Sequence, residues 1–131
     1  MNTSVMREVL EASQAGRMIF PQVVRQLLEA GVESYCADLV RGEEIFYMPD
    51  GSTHVEKMTL PAEKIADDFS QTGIVSAIRA AQADQIRYPE FVKRATAAGI
   101  AVYWVFLTGR KVIYFGRKGE FHVEEFPRAK P

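Results

Sequence analysis

The stretch AVYWVFLTGRKVIYFGRKGEFHVEEF, residues 101–126, lies without a gap on ESYCADLVRGEEIFYMPDGSTHVEKM, residues 33–58, at an offset of 68. Tyr103 falls on Tyr35, Leu107 on Leu39, Ile113 on Ile45, Gly119 on Gly51, and His122-Val123-Glu124 on His54-Val55-Glu56. A repeat found this early constrains every later reading. Each copy opens with an extended segment, ESYCADLV (33–40) or AVYWVFLT (101–108), rich in β-branched and aromatic residues, as strands are. Second strands follow at EIFYM and VIYFG. Pro49-Asp50-Gly51 and Arg117-Lys118-Gly119 then place glycine where a hairpin turn needs a positive φ, leading into THVEKM and FHVEEF. Each copy therefore reads as a three-stranded meander. Segment 101–108 is apolar on both faces, which predicts a central strand covered on both sides.

Upstream of each meander the period becomes helical. FPQVVRQLLEAG (20–31) and YPEFVKRATAAG (88–99) share a proline suited to the first helical position, an apolar stripe, and a glycine that can cap the C-terminus in the left-handed region. Residues 3–15, TSVMREVLEASQA, put Val5, Met6, Val9 and Leu10 on one face, with Thr3 or Ser4 as the expected cap. Across 3–58 and 71–126 there are 14 identities in 56 positions, where unrelated sequences of ordinary composition share roughly three or four. The expected fold is a single α+β domain over residues 1–131, an internal duplication of an ααβββ unit, with mainly antiparallel sheet packed against helices. Either 56-residue half alone would bury too little surface, so the halves should share one core. The connector 59–70 is expected to hold a short helix over 62–68, with Ile65 and Phe69 turned inward, and the tail 127–131 to fray.

At 47% hydrophobic and 25% charged, the chain has the composition of a compact globule. Its N-terminus is charged early and no apolar run approaches the ~20 residues a bilayer requires, so a cytoplasmic protein without membrane contact is expected. Cys36 stands alone, excluding an intramolecular disulfide or a cysteine-cluster zinc site, and is expected to be a small core residue. A net charge of -1 removes the general electrostatic case for nucleic acid. The charge is uneven: residues 3–58 hold 5 basic and 9 acidic side chains, residues 71–126 hold 8 and 5. That asymmetry could help the halves dock, or steer an anionic partner toward Arg110, Lys111, Arg117, Lys118, Arg128 and Lys130, although solvated turns are the simpler reading.

The repeated His-Val-Glu is the clearest chemical pattern. Residues two apart on a strand share a face, so His54 with Glu56, and His122 with Glu124, each set an imidazole beside a carboxylate. A carboxylate fixes the imidazole tautomer and raises its basicity, which suits a general base or a metal ligand. If the two pairs converged, they would make a zinc or manganese site. Two-residue spacing after a hairpin turn is more often an ordinary cross-strand arrangement, so a folding role outweighs metal binding, and no cofactor is expected. Tyr35, Tyr103, Arg110, Lys111 and Arg117 form a second candidate set, a binding surface of aromatic and basic groups. An aromatic sheet face could also accept a protein partner or a second copy of the chain. Neither a glycine-rich phosphate loop nor a serine nucleophile elbow is present.

On the segments YMPDGSTHVE, RAAQADQIRYPEFVKRATAAGI and LTGRKVIYFGRKGEFHVEEFP, the chain resembles the YdfO/YbcV-like family of short bacterial and prophage proteins of unknown function, sometimes labelled "phage envelope protein". The resemblance implies a small α+β domain and no catalytic residues. Where that pattern often has a histidine after the first tyrosine, this chain has Cys36, which weakens a metal site needing a ligand there. The expected function is a non-enzymatic interaction or small-ligand-binding protein of bacterial or prophage origin. The alternative is a metal-binding protein or metal-dependent enzyme using the paired His and Glu residues, and a virion component ranks third.

Overall fold

A computed structural model describes residues 1–127. Of the tail 127–131 expected to fray, all but Pro127 lies outside the described residues, as do the basic residues Arg128 and Lys130. Two helices, α1 (Thr3–Gln14) and α2 (Phe20–Glu29), precede β1 (Ser34–Asp38), β2 (Glu43–Tyr47) and β3 (Thr53–Lys57). The order then recurs as α3 (Gln71–Gln82), α4 (Tyr88–Ala97), β4 (Ile100–Phe106), β5 (Lys111–Gly116) and β6 (Phe121–Glu125). All six strands form one antiparallel sheet in the order β3-β2-β1-β4-β5-β6. The two meanders join through β1 and β4, with Cys36 opposite Trp104, so that positions 68 apart in sequence meet at the seam.

Local chemistry explains most element ends. Gly31 and Gly99, at φ 83° and 84°, end α2 and α4 in the left-handed region that a side chain disfavours. Pro21 and Pro89 sit in the first turns of those helices, where a missing N–H costs nothing. The cap of α1 is Asn2, not Thr3 or Ser4: its side-chain oxygen accepts from the Val5 N–H at 3.4 Å. Ser70 caps α3 in the same manner, accepting from the Gly73 N–H at 2.9 Å.

The connector contains no helix, which corrects the sequence expectation. Pro61 interrupts its start, and the chain instead lies along α4: the Ala66 N–H donates to the Thr96 carbonyl at 2.9 Å and the Ser70 N–H to the Ala98 carbonyl at 2.8 Å. These bonds satisfy carbonyls at the end of α4 that a helix leaves open. Phe69 still packs against the core.

Alternation along the strands sorts the side chains into two faces. Tyr35, Ala37, Phe46, Tyr103, Val105, Val112 and Tyr114 are buried beneath the helices, together with Met6, Leu27 and Ile74. Each large apolar side chain so buried contributes about 1.5–3 kcal/mol. The opposite face carries Ile45, Tyr47, Val55, Trp104, Phe106, Ile113, Phe115 and Val123, half-buried or exposed. Strand β4 is central, as expected. Its second face, however, is shielded among the described residues only by neighbours in the same sheet: Trp104 stacks on Tyr47 at 5.2 Å and on Phe106 at 5.7 Å.

Candidate functional site

A cavity of about 270 Å³ lies between the helices and the inner face of the sheet. The sheet supplies Tyr35, Glu44, Tyr103, Val105, Val112 and Tyr114, while the helices supply Val9, Leu10, Val23, Ile78, Tyr88 and Phe91. Phe20, Arg87 and Phe126 also line it, and Phe20 meets Phe126 edge-on at 5.6 Å. Such a largely apolar concavity with a few converging polar groups is the usual form of a small-molecule site.

The polar centre is Glu44. Strand alternation places it beside Phe46 on the inner face, and it is 6% exposed. Burial pushes its carboxyl up to about 8, against a lowering influence from the Tyr88 hydroxyl, which donates to Oε1 at 3.5 Å. At neutral pH the carboxyl is therefore mostly protonated. Tyr88 and Tyr103 hydroxyls lie 2.7 Å apart. With the Tyr88 proton directed at Glu44, the Tyr103 proton must serve Tyr88, giving a chain of donors that ends on the carboxyl. Burial, together with the nearby Glu44 carboxylate, drives the Tyr35, Tyr88 and Tyr103 phenols well above their ordinary range. They are neutral hydrogen-bonding groups at any physiological pH. No salt bridge to Glu44 occurs among the described residues.

The His-Val-Glu pairs lie elsewhere. Strands β3 and β6 are the two edges of the sheet, and five spacings of about 4.8 Å separate them by roughly 24 Å. The two pairs therefore do not converge, and the described residues contain no group of three His, Cys, Asp or Glu side chains placed to hold a metal ion. Each pair instead joins an edge strand to a helix. His54 Nε2 bonds Glu56 Oε2, and Arg7 of α1 donates to Glu56 Oε1 at 3.2 Å. At the other edge, Glu124 accepts from Arg79 of α3 at 2.7 Å and lies 3.3 Å from His122 Nε2, while Gln71 reaches His122 Nδ1 at 3.3 Å. Burial alone would raise both carboxyls, but bonds and charges from the histidine and arginine hold them below the usual range.

The candidate binding surface divides. Tyr35 and Tyr103 line the cavity. Arg110 turns back over the Phe126 ring at 5.5 Å and donates to the Pro127 carbonyl at 3.3 Å, Lys111 stands opposite Glu125, and Arg117 pairs with Asp67 of the connector. Cys36 is buried at the seam, and burial pushes its thiol up to about 11, which leaves it unreactive at neutral pH. Glu44 and Tyr88 were missed by motif reasoning. The available signal was a glutamate in phase with Phe46 on a strand whose inner face is otherwise apolar.

Fold and cavity together define a two-layer α+β protein with a partly open, largely apolar pocket around a buried acid. The chain belongs to the family described as protein of unknown function (DUF1398), whose model matches residues 20–125. It is also similar to uncharacterised proteins of Mycobacterium tuberculosis and Mycobacterium bovis, 31% identical over 115 residues that cover 86% of this chain and 69% of theirs. The family match spans α2 to β6 and so takes in Glu44, Tyr88 and Tyr103. No helix among the described residues is long and apolar enough to cross a membrane.

Proposed function

We propose that this protein binds a small organic cation, an amine on a compact apolar body, in the cavity between sheet and helices. The observation that carries the reading is Glu44, an acid buried in an aromatic-lined cavity with no salt-bridge partner among the described residues. A protonated amine would supply the missing counter-charge, and ion pairing in a site shielded from water is far stronger than at a surface. The aromatic rings of Phe91, Tyr103 and Tyr114 in the cavity lining could favour a cation further. The other charged lining residues are largely paired, Asp84 with Arg87 at 2.7 Å and Glu124 with Arg79 at 2.7 Å, which leaves Glu44 as the acid a cation would meet. The two His-Glu pairs, each tied to a helix arginine, fit a structural role in this reading. The likeness to prophage proteins bears on origin and leaves this chemistry unchanged.

The test is calorimetric titration with 2-phenylethylamine and its neutral counterpart 2-phenylethanol, at pH 7 in buffers of different ionisation enthalpy. The amine should bind at least tenfold more tightly than the alcohol and release a proton as Glu44 ionises, and Glu44→Gln should abolish that preference. Equal affinity for the two compounds, or an amine preference that survives Glu44→Gln, would sink the proposal.

A further inference from the structure

The face of the sheet turned away from the helices carries a row of six apolar side chains in register across every strand: Val55, Ile45, Cys36, Trp104, Ile113 and Val123. The corners around that row differ. One corner holds Glu43 opposite Lys57, and the diagonally opposite corner holds Lys111 opposite Glu125. Equivalent positions in the two units thus bear opposite charges, Glu43 against Lys111 and Lys57 against Glu125. The other two corners are aromatic: Phe115 with Phe121, and Tyr47.

We infer that this face is an interface between two copies of the chain, packed sheet on sheet with their strands crossing at about a right angle, so that Glu43 of each copy meets Lys111 of the other. The charge pattern selects both the partner and the angle. A twofold axis along the diagonal through the aromatic corners lays Phe115 on Phe115 and Tyr47 on Tyr47, and brings each charged corner onto its complement. A twofold axis along or across the strands would instead set Glu43 against Phe115 or Tyr47, with no complementary charge across the contact. Near-perpendicular packing is one of the two established arrangements for stacked sheets. The four central strands suit it, forming a patch about 19 Å wide and about 17 Å long, nearly square and so able to cover its own image after a quarter turn. The Glu43 side chain is 14% exposed and is held by Arg41, whose Nε bonds its Oε1 at 2.6 Å, so the contact must engage its second carboxylate oxygen, Oε2, which has no partner among the described residues. An isologous contact of this kind closes on itself and stops at two copies.

Analytical ultracentrifugation of the full chain from 1 to about 300 μM tests the inference, with Glu43→Lys, Lys111→Glu and the double exchange compared at low and high salt. The wild type should sediment as a dimer. Each single reversal should weaken association by at least tenfold, and the double exchange, which restores opposite charges across the contact, should recover it. Circular dichroism confirms that every variant is folded. A wild type that is monomeric throughout, a dimer indifferent to both single reversals, or a double variant no better than the singles would each overturn the proposal.

Discussion

At the same inner-face position the two ααβββ units carry different chemistry: Glu44 in β2, Val112 in β5, both buried and both lining the cavity. The backbone around them is alike, with the same element order and the same strand pairing. One unit ends the comparison with an acid that costs stability, the other with an apolar side chain that contributes to it. A buried charge-bearing group without a counter-charge is tolerated where it serves something besides folding. That contrast is the reason the cavity is proposed as a binding site.

Replacing Glu44 by the second unit's residue, Glu44→Val, tests this most strongly. Because the folded carboxyl titrates near 8 and the unfolded one near 4.5, the folded state holds the proton more tightly between those values. The contribution of Glu44 to stability is then greatest below about 4.5 and falls as pH rises to about 8, by up to about 5 kcal/mol at 1.4 kcal/mol per pH unit. Thermal unfolding of the wild type should show this decline between pH 5 and 8, and Glu44→Val should flatten it. A wild type whose stability does not fall over that interval would show that Glu44 is not buried as described.

Gly31 and Gly99 form the next comparison, two helix-ending glycines with the same positive φ. At Gly31 an added Cβ would make an ordinary contact with Met48 at 3.5 Å, but at Gly99 it would overlap the Asp68 carbonyl oxygen of the connector. Gly31→Ala should cost about 1 kcal/mol, for φ alone. Gly99→Ala should cost about 2–4 kcal/mol, since the connector must also move. Urea unfolding at neutral pH measures both, and equal costs would mean that the connector does not press on α4.

The smallest effects should come from the edge clamps. Arg7→Ala and Arg79→Ala each free a glutamate held by a partly exposed arginine, and each should lower the melting temperature less than Gly31→Ala does. The clamps hold Glu56 and Glu124 below the usual carboxylate range. Their contribution is therefore present above that range and lost as pH falls through it, so variant and wild type should converge in acid. A difference that persists at pH 3 would assign the arginines to packing instead of pairing.

Much of the architecture was legible because it was written in punctuation. Pro21 and Pro89, Gly31 and Gly99, Gly51 and Gly119 mark element ends through local backbone geometry, which sequence encodes directly. The path of the connector is not legible because its conformation depends on carbonyls at the end of α4, partners no local pattern reveals. The cavity was half legible. Tyr35 and Tyr103 could be nominated as aromatic positions on the two extended segments, but the approach of Tyr88 to Tyr103 depends on how α4 lies across the sheet. The His-Val-Glu pattern drew attention for its chemistry, yet only strand order shows that its copies occupy opposite edges.

The seam between β1 and β4 also governs how the chain must assemble. Every other strand pair is a hairpin between neighbours in sequence, so each meander can form locally, whereas opposing Cys36 to Trp104 closes a loop of 68 residues. Long-range pairing of this kind slows folding. Until it closes, β4 presents AVYWVF as an open edge without a charged residue to discourage the wrong neighbour. The strand at the heart of the finished sheet is thus the segment on which a slow-folding copy would aggregate.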